Sequence, residues 1–291
     1  MSQPSLFRKA AKRIPPLYWL VGLGRYLRFR SRLGRERDAY QRRANSTIPP
    51  PMLRFRVHGA LDEASYVEAG RVIGSQIVEV LNRHGVGLED SRVLDFACGP
   101  GRIAVEVKKW AASCRLHGSD IDPEAIEWAN RHLREVGVFS VNPSLPPTAY
   151  HDAYFDISYT VSLFTHLDEE AQNAWLAELA RLVKPGGWLL ATVHGRLARS
   201  SCTRDEDERL GERGIAYRMD RTGRFKLDGL PDSYQTTFHT REYVERKWTR
   251  WFDLVEYVEG GLGQHQDLVV LRRPLIDRKP GADPVEKIAD A

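Results

Sequence analysis

The sequence predicts an α/β fold, a three-layer sandwich with a mostly parallel sheet between helices. Three observations predict it. Short apolar runs alternate with helix-period segments between residues 93 and 193, the pattern of repeated strand-helix units. The first run passes straight into a glycine-rich turn, Cys98-Gly99-Pro100-Gly101-Arg102, and then into a helix pattern. A second turn signal, Lys184-Pro185-Gly186-Gly187, separates a helix pattern from another apolar run.

The elements follow in order. Residues 60–84 place Val67, Val72, Ile73, Ile77, Val80 and Leu81 roughly on one face and read as a helix. Asp90 and Ser91 precede the buried-strand run from Val93 to Cys98. Residues 103–112 read as a helix and 115–121 as a strand. Residues 123–136 read as a helix opened by Pro123, whose missing N–H costs nothing in a first turn. A short strand is expected at 138–141, a strand at 155–161, a helix at 168–183 and a strand at 188–193. Residues 196–231 break the rhythm. Charged and poor in apolar side chains, they read as a surface insertion or a lid. Beyond them 240–248 reads as a helix, and 252–258 and 268–271 as strands. The expected organisation is a basic extension over 1–51, a main domain over 52–275 and a flexible polar tail over 276–291.

Composition bounds the function. The chain has 291 residues, 42% of them hydrophobic and 28% charged, enough to bury a sizeable core. No run approaches the roughly 18 apolar residues of a membrane span, and the N-terminus lacks a signal-peptide pattern. A cytoplasmic protein is the expectation. Cys98, Cys114 and Cys202 have no metal-ligand spacing, and their odd number argues against a disulfide framework. Between Arg8 and Arg43 twelve Lys or Arg stand against two acids, a surplus of +10 where the whole chain carries +4. The remainder is therefore net acidic, unlike a uniformly basic nucleic-acid-binding domain. Leu17, Tyr18, Trp19, Leu20, Val21 and Leu23 lie among those arginines, a composition suited to an anionic membrane surface. Three prolines, Pro49 to Pro51, mark the end of this segment, since they cannot continue a helix.

Two signals locate a ligand site. Gly99 and Gly101 let the chain turn sharply and bring backbone N–H groups to a ligand. Asp95, near the strand end, is expected to point into the same crevice. Asp120 ends the next strand, nineteen residues after Gly101, where an acid suits a hydrogen bond to ribose hydroxyls. Asp122 before Pro123 reads as a helix cap. A carboxylate at position 95 repels a pyrophosphate but tolerates a cationic ligand. That favours a sulfonium carrying an amino group over a nicotinamide dinucleotide.

Val93 to Arg102 resembles motif I of the class I, Rossmann-like S-adenosylmethionine-dependent methyltransferases, with Ala97 replacing the first glycine. Leu116 to Asp122 resembles their motif II, residues 155–159 their fourth strand, and Leu179 to Leu190 their helix-turn-strand ending in Lys-Pro-Gly-Gly. Residues 238–243 and 266–273 resemble small-molecule methyltransferases of bacterial polysaccharide and secondary-metabolite pathways. The resemblance implies a seven-stranded sheet with an antiparallel last strand and S-adenosyl-L-methionine as cofactor. It implies that Asp95, Ala97, Gly99, Gly101 and Arg102 surround the methionine part, that Asp120 holds the ribose and that Ile121 lies against adenine. No acid matches the family's adenine-amino contact; Asn142 stands nearest that position.

Methylation of a hydroxyl requires removal of its proton, for which histidine is suited near neutral pH. His166, His194 and His265 fall at strand ends, and His194 is the expected catalytic base. His166 reads instead as part of a helix cap, and Tyr234 and His239 are placed to enter from the insertion. A nucleobase or glutamine amino group is disfavoured, because Thr160 to His166 replaces the Asn/Asp-Pro-Pro-Tyr motif. The expectation is O-methylation of a small hydroxylated metabolite or sugar, with no metal and no nucleic acid. The alternatives are a non-catalytic cofactor-binding scaffold docking to membrane or RNA, and an NAD-dependent dehydrogenase.

Overall fold

The computed structural model describes residues 15–42, 47–219, 227 and 229–276, with the side chains of 15–21 left aside. Parts of the expected extension, of the expected lid and most of the expected tail lie outside the described residues.

The elements are α1 (Pro15–Gln41), α2 (Pro51–His58), α3 (Glu63–Arg83), β1 (Arg92–Phe96), α4 (Arg102–Trp110), β2 (Arg115–Asp120), α5 (Pro123–His132), β3 (Val138–Val141), β4 (Phe155–Thr160), α6 (Glu169–Leu182), β5 (Val183–Val193), α7 (Arg204–Arg213), β6 (Ile215–Arg218), β7 (Thr236–His239), α8 (Arg241–Trp248), β8 (Asp253–Leu262) and β9 (Gln266–Arg272). Seven strands form one sheet in the order β3-β2-β1-β4-β5-β9-β8. β9 is antiparallel to both neighbours, and the other pairings are parallel. This is the Rossmann-like α/β sandwich that the sequence implies.

Strand alternation divides the core. Val93 and Leu190 join Ile77, Val107 and Ile126 on one face; Leu94 and Leu189 join Trp175, Leu179 and Trp248 on the other. Each fully buried aliphatic side chain contributes about 1.5–3 kcal/mol. Acidic caps fix where helices start. Asp62 accepts the Ser65 N–H, Asp122 those of Glu124 and Ala125, and Asp168 that of Ala171, satisfying donors that the first turn leaves unpaired.

Two expectations change. The Lys-Pro-Gly-Gly segment is not a turn before the strand but a bulge within β5. Phe155 pairs with Val183 and Ile157 with Trp188, so the extra residues loop out of the ladder. Residues 196–231, read from the sequence only as a surface insertion or a lid, hold regular elements of their own. They contain a 3-10 turn, α7 with a Thr203–Glu206 capping box, and β6, which pairs antiparallel with the unanticipated β7. β7 also docks on the main sheet's carboxyl edge. Thr237 N–H donates to Thr165 O (2.8 Å), and His239 N–H to His194 O (2.9 Å).

Candidate functional site

The glycine turn after β1 is held by its neighbours. Ala97, Gly99 and Gly101 have φ of +62°, +53° and +79°, a region that L side chains enter at a cost. A Cβ on Gly99 would stand 2.5 Å from Val57 Cγ1, so α2 lies directly across the turn. Gly99 N–H donates to Asp120 Oδ2 at 2.7 Å, and Asp122 N–H to Asp120 Oδ1 at 2.8 Å. Burial pushes the Asp120 carboxyl up to about 6 against these hydrogen bonds. A carboxylate accepts about four hydrogen bonds in all, which leaves capacity for a ligand's hydroxyls. Asn142 sits beside it, its N–H on Asp120 O (3.0 Å).

Asp95 corrects an expectation. It is 1% exposed and lies beneath the turn rather than on the cleft wall. Among the described residues its Oδ2 has no hydrogen-bond partner. Burial raises the carboxyl to about 7, opposed by the nearby Tyr159 hydroxyl and the Ala104 N–H, with Asp120 adding to the rise. Gly101 also turns away from the cleft, its missing Cβ facing Leu133 and Phe139. Ala97, Gly99, Arg102, Asp120 and Ile121 do line it.

The N-terminal helices form the opposite wall. Arg56 of α2 pairs with Asp122 (2.7 Å) and Glu124 (2.8 Å). Arg54, 1% exposed, donates to Leu61 O, Pro49 O and Glu36, stitching α1 to α2 and α3. Phe29 and Phe55 pack as tilted rings with centroids 4.7 Å apart, and Gly22, Arg25 and Tyr26 of α1 reach the cleft. Arg102 is fixed from this side. Its guanidinium donates to His58 Nδ1 (3.1 Å), His58 Nε2 donates to Ser65 Oγ (2.8 Å), and Ser65 Oγ to Asp62 (2.6 Å). Burial and then Arg102 keep His58 below its ordinary value, so the ring is neutral. Gly70 admits Arg102 into this place, since a Cβ there would meet Arg102 Cγ at 2.6 Å.

The cleft encloses about 1060 Å³ and continues past the turn to the carboxyl ends of β4 and β5. His166 and His194 stand there with ring centroids 6.1 Å apart. His166 Nδ1 bonds Gln235 O, and its ring stacks on Tyr234 at 4.2 Å. His194 Nδ1 bonds Thr237 O at 3.2 Å. Asp168, not His166, caps the following helix, which corrects the cap reading of His166. His239, expected near the pocket, is instead buried against Gln172 (2.9 Å), and burial pushes it down to about 3.

Residues 93–187 match the methyltransferase-domain family. The fold aligns with a SAM-dependent methyltransferase structure from Methanosarcina mazei at a TM-score of 0.50 and 21% identity, covering 67% of this chain and 98% of that one. The matched segment is thus similar to a methyltransferase domain, and the main sheet shares the fold of that solved structure. Over 117 residues the chain is 33% identical to a ubiquinone biosynthesis O-methyltransferase from Thiobacillus denitrificans, covering 39% of this chain and 48% of that protein. Over 109 residues it is 39% identical to a ribosomal protein L11 methyltransferase from Burkholderia mallei, covering 38% and 33%. The chain thus spans about half or less of these curated relatives.

The residues of the matched segment fit S-adenosylmethionine. A glycine-rich turn, a half-buried acid one strand away and a polar Asn142 line one end of a cleft with room for a nucleoside and a second molecule. Sequence reasoning missed His58, Gln266 and the α1 wall. Their pairings are long-range, and no local spacing signals them.

Proposed function

We propose that this chain transfers the methyl group of S-adenosylmethionine to a hydroxyl of a small hydroxylated metabolite or sugar. In this reading Ala97, Gly99 and Arg102 receive the methionine part, with Arg102 facing its carboxylate. Asp120 receives the ribose hydroxyls, and Ile121 and Asn142 border the adenine. Asp95 and Gly101 act from behind the turn by shaping it.

The observation that carries the reading is the continuity of one cleft from the Gly99–Asp120 pair to His194. The bound cofactor supplies a methyl group activated on a sulfonium. A carbonyl only accepts, so the Thr237 carbonyl holds the His194 proton on Nδ1 and leaves Nε2 as the basic nitrogen. His194 Nε2 would take the hydroxyl proton as the acceptor oxygen receives the methyl group. Positioning of the two molecules supplies much of the remaining acceleration. The likeness to an O-methyltransferase over 117 residues supports oxygen as the atom methylated.

The test is twofold. Calorimetric titration is expected to show S-adenosylhomocysteine binding, with no comparable binding of NAD. Tritium from labelled cofactor is expected to enter a small-molecule product in a metabolite extract. Cofactor binding with no labelled product would favour a scaffold role instead.

The outer face of α1 supports a membrane-surface partner. Tyr26, Phe29, Leu33 and Glu36 face the protein, whereas Arg28, Arg30, Arg32, Arg35 and Arg37 are exposed beside Leu27. That arrangement suits an anionic bilayer. Among the described residues no helix is long and apolar enough to cross one.

A further inference from the structure

The helices α2 and α3 precede the part of the chain that matches a known family, yet they control a side chain of the glycine turn. α2 ends at His58, and α3 begins at Glu63. Val57, His58 and Arg102 all line the cleft. Arg102 opens α4 and passes its stem over Gly70 of α3, where a Cβ would stand 2.6 Å from its Cγ. Its guanidinium carbon lies 5.4 Å from the centroid of the Tyr66 ring.

Arg102 is half-buried, and among the described residues no carboxylate pairs with it. Its hydrogen bonds go to His58 Nδ1 (3.1 Å) and to the Val57 carbonyl (3.4 Å). Asp95 attracts it through space. A guanidinium carries five N–H donors, and a partly buried charge without a counter-charge is unfavourable. A ligand carboxylate in the cleft supplies both the missing charge and a pair of acceptors matched to the guanidinium fork.

The bonds behind Arg102 run in one direction. Arginine only donates, so His58 Nδ1 accepts and the proton of the neutral ring sits on Nε2. Nε2–H donates to Ser65 Oγ (2.8 Å), and Ser65 Oγ–H to Asp62 Oδ2 (2.6 Å). The Ser65 N–H holds Asp62 Oδ1 at 2.9 Å, as the cap of α3. Neutral His58 thus ties Arg102 to a helix cap. A second proton on the ring would sit on Nδ1, against the guanidinium, and break the tie. The groups facing the ring are Arg102 from α4, Asp62 and Ser65 at the start of α3, and Tyr66 with its centroid 6.3 Å away. Arg32 of α1 acts in turn on Asp62. Burial and then Arg102 outweigh Asp62 and keep the ring neutral.

We propose that His58 is a positioning residue for the amino-acid end of the cofactor: its neutral ring sets the Arg102 guanidinium to receive the carboxylate, and its protonation releases that guanidinium. This rests on the reading of Arg102 as the carboxylate's partner and deepens it. Affinity for the amino-acid end, and not for the nucleoside, then depends on the proton of a residue on α2.

Two probes separate the ends of the cofactor. S-adenosylhomocysteine carries the amino-acid end, and 5′-methylthioadenosine keeps the nucleoside and the sulfur without it. Calorimetry on the full chain gives the ratio of their affinities, in which effects at Asp120, common to both, cancel. His58→Leu is expected to lower that ratio about tenfold or more at pH 8, the scale of a lost charged hydrogen bond, with 5′-methylthioadenosine affinity unchanged. His58→Asn puts a carboxamide oxygen where Nδ1 stands but takes no proton. It is expected to restore most of the ratio. In the parent the ratio is expected to fall as pH is lowered through the histidine range, and in His58→Asn that fall is expected to vanish. Equal weakening of both probes in His58→Leu, an unchanged ratio there, or the same acid decline in the parent and His58→Asn would overturn the proposal. Arg102→Leu separates this from the cofactor reading. A ratio lost in Arg102→Leu but kept in His58→Leu strikes the role of His58 alone, whereas a ratio kept in Arg102→Leu strikes the reading of Arg102 itself.

Discussion

Gly99 gives its backbone N–H to Asp120 Oδ2 across 2.7 Å, which makes the glycine turn and the acid of the next strand one hydrogen-bonded unit. The acid therefore shapes the turn before any ligand arrives. Asp120→Ala is expected to weaken S-adenosylhomocysteine binding by about 1–3 kcal/mol, the range for a lost charged hydrogen bond. Asp120→Asn is expected to lose less than Asp120→Ala, because its carbonyl oxygen still accepts one N–H. Calorimetry on both variants checks this, and undiminished binding in the alanine variant would count against the site.

The contact between Gly99 and Val57 gives a second prediction. A Cβ at Gly99 meets Val57 Cγ1 at 2.5 Å in a backbone region that alanine enters at a cost. Gly99→Ala is expected to destabilise the fold by about 1–3 kcal/mol, the range for overpacking. Adding Val57→Ala opens space and is expected to recover part of that loss but not the backbone strain. A double-mutant cycle in urea measures the coupling. Strict additivity would show that α2 does not press on the turn.

Much of this was legible in the chain. The order of the strands in the main sheet and of the helices between them followed from apolar periodicity, and Asp62, Asp122 and Asp168 stand where helix-capping chemistry requires them. Ala97, Gly99, Arg102, Asp120 and Ile121 could be placed on the cleft because motif spacing is local. Asp95 could not, because the side of a strand end facing a ligand depends on the tilt of the following turn. Nor could the pairing of His166 and His194 with β7, which joins residues 69 and 43 positions apart. The sequence marked residues 1–51 as a basic extension, but nothing in its own pattern shows that Arg54 ties Glu36 to the domain.

Two carboxyls, the buried Asp95 and the half-buried Asp120, make stability depend on pH. Burial raises Asp95 to about 7 and Asp120 to about 6 from an ordinary 3.8. Above about pH 4 the unfolded chain has released protons that the fold retains. The protonated folded forms contribute fully below that pH, and their contribution is lost as pH rises through 6 and 7. The urea midpoint is thus expected to fall between pH 4 and pH 7 from these two groups. Asp95→Asn is expected to flatten that decline, with its advantage over the parent growing towards pH 7. A parallel decline in both proteins would mean that Asp95 ionises normally.

The tautomer of His194 predicts a kinetic signature. With Nδ1 held by Thr237 O, loss of the basic Nε2 removes proton acceptance but not cofactor binding. His194→Gln is expected to lower tritium transfer by about 10²–10⁴, the range for a general base, with S-adenosylhomocysteine affinity unchanged. In the parent, transfer is expected to fall on the acid side as the imidazole is protonated, and that limb is expected to vanish in the variant. A persisting acid limb in His194→Gln would move the role of base to His166.

The exposed arginines of α1 give the last prediction. Each basic side chain near an anionic bilayer contributes about 1 kcal/mol, and the attraction is screened within a Debye length. The chain is expected to sediment with phosphatidylglycerol vesicles at low salt, to be released at about 0.5 M salt as the Debye length shortens, and to ignore phosphatidylcholine. Substituting Arg28, Arg32 and Arg35 together by glutamine is expected to weaken vesicle binding by about 3 kcal/mol on the same scale. None of the three lines the cleft, so S-adenosylhomocysteine binding is expected to stay unchanged. If the parent and the triple variant sediment alike, α1 serves the cleft as a wall and the membrane reading falls.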